Sequence, residues 1–388
     1  MSLKEKAANA LSHLLRRLSK KRIILFESLP DFSDNTLAVF REMIRRGYDK
    51  KYRLVWELGD ANTDTALFDQ YGCKYILRDY HTLPERLQHF YYTAAADVLI
   101  SSNRFLKMQS SDGSQRYMHL AHGCALKKTT NYYFPDYIGN ADVLTLSDFF
   151  LPYDAVNLGC RQEQLRPLGY PRCDELFKGN VPIAQLAPES EYQKVIYWMP
   201  TYRQHNSGKY VHSDITFPII YNDEIARRIN DVAVEQKVLI LIKPHPAQDL
   251  SVIKALQLSN LFFIDNDFLK ENGITNYELL GSCDALLSDY SSVYYDYLLC
   301  DKPIGLCFDD YEDYVAKEGF TVNPDYILKG GEKLYTADDL CRFIQRVAAG
   351  EDTLREARNE IAAVVHRYRD NHTSQRVVDY IEKEYFSA

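Results

Sequence analysis

No apolar run in the 388-residue sequence approaches the roughly 18 residues needed to cross a bilayer, and the N-terminus lacks the apolar stretch and small-residue cleavage site of a signal peptide. Both absences lead us to expect a protein that stays in the cytosol. The eight cysteines (Cys73, Cys124, Cys160, Cys173, Cys283, Cys300, Cys307 and Cys341) form no CxxC pair and no regular framework, which argues against a zinc site or a disulfide scaffold. No GxGxxG follows a strand-like run and no Walker lysine loop is present, so a dinucleotide oxidoreductase and a P-loop NTPase are both disfavoured. Basic residues are not in excess: 46 Lys and Arg stand against 54 Asp and Glu, and a net charge of −8 speaks against a nucleic-acid binder. There is neither an internal repeat nor a low-complexity segment.

What is there is an ordinary globular composition, 46% hydrophobic and 26% charged, in a chain long enough for two domains with a cleft between them. The charge is uneven. Residues 1–22 hold Lys4, Lys6, Arg16, Arg17, Lys20, Lys21 and Arg22 against Glu5 alone, so that +6 sits on this segment and −14 on the rest. Ala7, Leu11, Leu14, Leu15 and Leu18 fall on one helical stripe. Such a helix suits an anionic membrane surface, or packs its stripe on the first domain with a solvated outer face.

Beyond residue 22, short β-rich runs alternate with helical ones, the pattern of βαβ units in a parallel sheet. The first series reads strand 22–26, helix 36–46, strand 52–57, helix 83–93 and strand 98–101. The second reads strand 195–199, helix 223–235, strand 238–242, helix 250–256, strand 261–264, helix 276–281, strand 285–287 and helix 292–299. Residues 177–192, mixing Gly, Pro and polar side chains, read as the linker. The expected organisation is therefore a basic helix (1–22), a first Rossmann-like domain (23–176), the linker (177–192), a second Rossmann-like domain (193–365) and a C-terminal helix (366–388) packing back on the first. Asn371 or Thr373 is the expected N-cap of that last helix.

Ligands of open parallel sheets bind beyond the carboxyl ends of the strands. Three loops so placed in the second domain carry groups suited to a diphosphate. Met199-Pro200-Thr201-Tyr202-Arg203 offers a hydroxyl and a guanidinium, and Lys243-Pro244-His245-Pro246 an ammonium and an imidazole. Ser288-Asp289-Tyr290-Ser291-Ser292 leads into a helix and adds hydroxyls and free backbone N–H groups. In the first domain the apolar run 117–121 ends in His122-Gly123-Cys124-Ala125-Leu126-Lys127-Lys128, where an imidazole at a strand end can take a proton from an attacking hydroxyl. Taken singly, each of these loops also has a structural reading, as a helix cap or a solvated face.

These stretches resemble a known family. His122-Gly123 with Leu126-Lys127-Lys128 is similar to its HGTPLKK motif, and Gly169-Tyr170-Pro171-Arg172-Cys173-Asp174 to GYPRND. Pro200-Thr201-Tyr202-Arg203 is similar to APTWRD, and residues 288–296 to TDYSSVFFDF. The family is the CDP-glycerol glycerophosphotransferases, the teichoic-acid primases and polymerases. Phe26-Glu27-Ser28 with Ser33-Asp34-Asn35 resembles its start, and residues 370–376 its close. Cys124 and Ala125 stand where Thr-Pro is usual, and Gln204 where Asp is common.

The resemblance implies an α/β protein of GT-B fold, with two Rossmann-like doubly wound domains facing a cleft, the acceptor domain first and the donor domain second. It implies transfer of glycerol phosphate, or a related alditol phosphate, from CDP-glycerol or CDP-ribitol to a hydroxyl of a polyprenyl-diphosphate-linked glycan, releasing CMP. His122 and His245 are the catalytic candidates, with His122 as the base. Thr201, Arg203, Lys243, His245, Asp289, Ser291 and Ser292 are assigned to the donor. Ser33, Asp34, Asn35, Gly123, Lys127 and Lys128 are assigned to the acceptor side. No DxD pair precedes the donor loops, so no metal or other cofactor is expected. Tyr132, Tyr133, Tyr294 and Tyr295 could meet substrate, although packing is their default in a chain with 30 tyrosines. The alternatives are a GT-B glycosyltransferase or epimerase using a UDP-sugar, and a non-catalytic nucleotide-binding subunit of an envelope assembly complex. The expected location is the inner face of the cell membrane, peripherally attached through residues 1–22.

Overall fold

The computed structural model describes residues 3–59, 63, 66–102, 106, 112–128, 139–187, 191–202, 215, 217–245 and 248–386. The chain forms two compact units. Unit 1 is made of Met1–Cys124, Thr130–Asp174 and His366–Ala388, and unit 2 of Ala125–Thr129 and Glu175–Val365.

Unit 1 holds a parallel sheet of seven strands, β1 (Ile23–Glu27), β2 (Arg53–Leu58), β3 (Lys74–Leu77), β4 (Val98–Ser101), β5 (Arg116–His119), β6 (Asp142–Leu144) and β7 (Leu165–Arg166). They lie in the order β3-β2-β1-β4-β5-β6-β7. The run IILFE of β1 is buried throughout because a central parallel strand is covered on both faces. On one face Ile23, Leu25, Val55, Leu99 and Val143 form the core. On the other, Phe26 stacks on Trp56 at 5.4 Å and meets Phe40 edge-on at 5.3 Å. Phe40 belongs to helix α2 (Asp34–Arg45), which buries Leu37, Val39, Phe40 and Met43.

The N-terminal helix α1 (Leu3–Leu18) corrects one expectation. It packs on unit 1, but through its polar side: Asn9 and Ser12 are buried, and the Ser12 hydroxyl donates to Ala94 O at 2.6 Å at the end of helix Leu83–Ala95. Leu15 joins the core at its margin. Leu11, Leu14 and Leu18 remain 40%, 54% and 67% exposed, so most of the leucine stripe faces outward.

Unit 2 holds a second parallel sheet, β8 (Lys194–Trp198), β9 (Val238–Ile242), β10 (Leu261–Phe263), β11 (Ala285–Ser288), β12 (Ile304–Cys307) and β13 (Glu332–Leu334), in the order β10-β9-β8-β11-β12-β13. Helix Asp223–Glu235 starts where Asn222 Oδ1 accepts from Ile225 N at 2.9 Å, and it ends before β9, whose sequence VLILI is wholly buried. Residues 175–187 pack on helix Asn276–Ser282: a Cβ at Gly281 would lie 2.2 Å from the carbonyl of Leu176, and Val181 N donates to Ser282 Oγ at 3.1 Å.

In both sheets the strand order reverses once, between β1 and β4 and between β8 and β11. The loops at those two points are where a doubly wound sheet leaves room for a ligand. Two local expectations change. The helix expected at 292–299 is an α-helical stretch of only five residues, Val293–Tyr297, running into a 3-10 turn at Leu298–Cys300. The last helix, Thr373–Ile381, has His372 at its N-cap position with no side-chain bond. It is capped from a distance by Asp174, whose two carboxylate oxygens accept from Thr373 N at 2.9 Å and Ser374 N at 2.7 Å.

Candidate active site

In unit 1 the segment from β1 to α2 brings Ser33, Asp34 and Asn35 beside the loop after β5. Ser33 holds extended backbone at the N-cap of α2, yet its hydroxyl donates to Pro30 O at 2.6 Å and does not cap the helix. Asp34 adopts φ 60° and Ala121 φ 54°, the left-handed region that costs an L-residue roughly 1 kcal/mol or more. Those two strained residues flank one interaction. Asp34 Oδ2 lies 2.5 Å from His122 Nδ1, and Asp34 Oδ1 accepts from Arg172 Nη1 at 2.7 Å. Asp34 and Arg172 are buried and His122 is exposed.

Burial pushes the Asp34 carboxyl up, but the charges of Arg172 and His122 and their hydrogen bonds outweigh it and hold the group well below the usual carboxylate range. An ionised carboxylate only accepts, so the hydrogen of this contact sits on Nδ1, and when the imidazole is neutral its lone pair is on Nε2. A neutral imidazole so held, with Nε2 at the surface, can remove a proton from a hydroxyl.

Asn35 fixes the frame. Its buried amide nitrogen donates to Leu120 O at 3.2 Å and Ala121 O at 3.0 Å, and its oxygen accepts from Arg172 N at 3.1 Å. One side chain thus ties together α2, the residues just before His122 and the segment that carries Arg172. Cys124, where the resemblance has Thr, is buried with Sγ 3.2 Å from the Tyr170 hydroxyl and 3.5 Å from Thr145 Oγ1. Asp34 and Asn35, expected on the acceptor side, make their contacts with His122, Arg172 and the backbone. Arg172 lies inside the GYPRND-like stretch but is absent from the candidates that sequence reasoning produced. Its 138-residue separation from Asp34 gives no local signal.

Gly123 follows His122, and the chain then passes into unit 2. Ala125 O accepts from the Tyr295 hydroxyl at 3.2 Å, Leu126 O from Thr321 N at 2.9 Å, and Lys128 N donates to Gly319 O at 3.0 Å. Lys127 forms an antiparallel bridge with Phe320, and the side chains of Lys127 and Lys128 are exposed. Tyr294 and Tyr295 are fully buried, Tyr294 donating to Ile327 O at 2.9 Å, so both are packing residues. Tyr132 and Tyr133 lie outside the described residues.

In unit 2 the loops after β8, β9 and β11 belong to neighbouring strands. The Thr201 amide and hydroxyl both donate to Asp289 Oδ2, and the Ser288 hydroxyl donates to Met199 O at 3.1 Å, so the β8 and β11 loops are stitched to each other at the reversal point. Lys243 follows β9 and is largely buried. Burial pushes its ammonium down and Asp265 partly offsets this. His245 is exposed, its ring 5.6 Å from that of Tyr202. Ser291 Oγ accepts from Val293 N at 3.3 Å, and Ser291 and Ser292 are both half-buried. Arg203 lies outside the described residues. Among the described residues there is no cluster of three or more His, Cys, Asp or Glu able to hold a metal ion.

Two doubly wound parallel sheets, one ending in a carboxylate-backed histidine and the other in hydroxyl and lysine loops at its reversal point, define a GT-B fold. The chain belongs to the CDP-Glycerol:Poly(glycerophosphate) glycerophosphotransferase family, whose pattern matches residues 9–383. The teichoic acid ribitol-phosphate polymerase TarL of Staphylococcus aureus is 24% identical over 389 residues, which cover 93% of this chain and 62% of that protein. The chain thus spans less than two thirds of that relative. The teichoic acid poly(glycerol phosphate) polymerase of Bacillus spizizenii is 25% identical over 353 residues, 82% of this chain and 83% of that one. The structure of the wall teichoic acid polymerase TagF superposes with a TM-score of 0.71 at 19% identity, over 99% of this chain and 94% of that chain. A variant of TagF soaked with CDPG superposes with a TM-score of 0.70.

Proposed function

We propose that the protein transfers an alditol phosphate, glycerol phosphate in the first instance, from a CDP-activated donor to a hydroxyl of a lipid-linked teichoic-acid-type acceptor. The observation that carries this reading is the Asp34–His122 pair, which leaves Nε2 with its lone pair at the surface of unit 1. Nε2 takes the proton of the acceptor hydroxyl as its oxygen attacks the phosphorus bearing the glycerol. The bond from that phosphorus to the bridging oxygen of the diphosphate breaks, and CMP leaves with the electron pair. Lys243, His245, Ser291 and Ser292 supply the positive charge and hydrogen-bond donors that stabilise the departing phosphate, and Thr201, bonded to Asp289, holds the loop after β8 beside them. Family membership and the CDPG-soaked relative support a CDP-alditol donor.

Membrane attachment belongs to the same reading. Leu11, Leu14 and Leu18 of α1 face outward, and so do Leu83, Leu87 and Phe90 of the adjoining helix Leu83–Ala95. Arg17, Lys20, Lys21 and Arg22 accompany them on a protein otherwise acidic. At about 1 kcal/mol per basic residue near an anionic bilayer, a few of these contacts give reversible binding at the inner face of the cell membrane.

Purified protein given radiolabelled CDP-glycerol, CDP-ribitol or UDP-sugars, with a lipid-linked disaccharide as acceptor, tests the reaction. Label is expected in the acceptor from a CDP-alditol, with CMP released in equal amount. Transfer from a UDP-sugar alone would assign the chain to glycosyl chemistry. No turnover with any donor would make it a non-catalytic subunit.

A further inference from the structure

Arg172 is held as firmly as the carboxylate it faces. Its backbone N–H donates to Asn35 Oδ1 at 3.1 Å, its guanidinium lies 5.4 Å from the ring centre of Tyr170, and its Nη1 meets Asp34 Oδ1 at 2.7 Å. Asp34 is therefore shared, with one oxygen on a permanent cation and the other on the imidazole. A buried carboxylate without that cation would take up a proton at a higher pH, because burial disfavours its charge. Once protonated it would donate to Nδ1, which would force the hydrogen of the imidazole onto Nε2, and His122 could then no longer accept a proton there.

We propose that Arg172 is a positioning residue for the base: by keeping Asp34 an acceptor-only carboxylate, it fixes His122 as the tautomer with hydrogen on Nδ1 and a bare Nε2. The inference rests on the reading of His122 as the base. Among the described residues of unit 1, the hydrogen bonds of the Asp34–His122 pair extend to Arg172 and to no further charged group. Cys124 and Tyr170, which pack behind it, are held neutral, each pushed well above its ordinary value by burial first and by Asp154 among other groups. Asp154 itself accepts from Thr145 Oγ1 at 2.6 Å, and Thr145 in turn meets Cys124 Sγ at 3.5 Å, so Asp154 stands two hydrogen bonds beyond Cys124. Asp34 on α2 and Arg172 after β7 are thus the charged groups in hydrogen-bonded reach of the ring among the described residues of unit 1.

The test compares Arg172→Gln with Arg172→Lys in the full chain labelled with 15N-histidine. In the parent protein and in Arg172→Lys, which keeps the charge, the 15N shifts of His122 should report hydrogen on Nδ1. In Arg172→Gln they should report hydrogen on Nε2, with kcat lowered at least tenfold, donor KM within twofold, and the acid limb of the rate profile displaced upward by about one pH unit. A glutamine variant that keeps Nδ1–H overturns the proposal, whatever its rate. A tautomer that moves while kcat stays put upholds the role of Arg172 and overturns His122 as the base. Should Arg172→Gln fail to fold, Asp34→Asn, which removes the charge at constant shape, should show the same loss of kcat and of a uniform Nδ1–H signal, and an unchanged signal and rate would overturn the proposal equally.

Discussion

The amide and the hydroxyl of Thr201 both donate to the same oxygen of Asp289, each at 2.9 Å, across the point where the order of the second sheet reverses. The two residues serve the donor by holding their loops in register. Asp289→Ala removes both bonds, one of them an amide on a carboxylate, which is worth about 1.5 to 3 kcal/mol. Donor affinity measured by titration calorimetry should therefore fall at least tenfold. Thr201→Val, which keeps the amide bond, should fall less. Donor affinity unchanged in Asp289→Ala would place the diphosphate away from these loops.

His122→Ala should lower kcat by about 10²–10⁴ while leaving CDP-donor binding nearly intact, because a general base acts on the acceptor hydroxyl and not on the donor. A loss smaller than threefold removes His122 from the mechanism. His245→Ala should instead weaken donor binding or the chemical step, as it removes a polar contact from the loop after β9.

Replacing Leu11, Leu14 and Leu18 together by Ser should abolish co-sedimentation with anionic liposomes and slow transfer to a lipid-anchored acceptor, while transfer to a short soluble analogue continues. The three leucines face outward, so the thermal midpoint should hardly move, whereas a core stripe would have cost several kcal/mol. Binding by the parent protein should weaken as salt rises. Full liposome binding by the triple variant would shift the membrane contact to helix Leu83–Ala95.

Asp174→Ala leaves the amides of Thr373 and Ser374 without the carboxylate that accepts from both. Loss of a cap costs about 0.5 to 2 kcal/mol, and the denaturant midpoint should fall accordingly. Limited proteolysis should cut first near residues 366–372. A variant as stable as the parent would show that the packing of Val377, Val378 and Ile381 alone holds that helix.

Much of the fold is legible where one physical signal dominates. Helix Asp223–Glu235 and strand β9 have the bounds the sequence suggests, because the helix carries a polar cap at Asn222 and the strand is an unbroken apolar run. Strands β6 and β7, three and two residues long, are too short to show any period, and β13, Glu-Lys-Leu, has little of a strand's composition. The stripe of α1 is visible in the sequence, but the side that packs is decided by what Ser12 and Asn9 can bond, which no periodicity records. His122 is legible as a histidine at a strand end. Its pairing with Asp34 spans 88 residues and depends on two left-handed backbone positions, one of them at Ala121, a residue type that does not announce it.

Unit 1 is assembled from three separate stretches of chain, the last of them residues 366–388. On the ribosome this has a cost in time. The surface of α2 that receives helix Thr373–Ile381, the partner of Arg46 at Asp379, and the hydroxyl of Tyr385 that reaches Tyr117 O and Asp142 all wait until unit 2 has been translated. At roughly 5 to 20 residues per second, the intervening stretch of about 190 residues leaves that apolar surface open for roughly 10 to 40 s. The first sheet is complete before unit 2 is made, but the unit around it closes only afterwards.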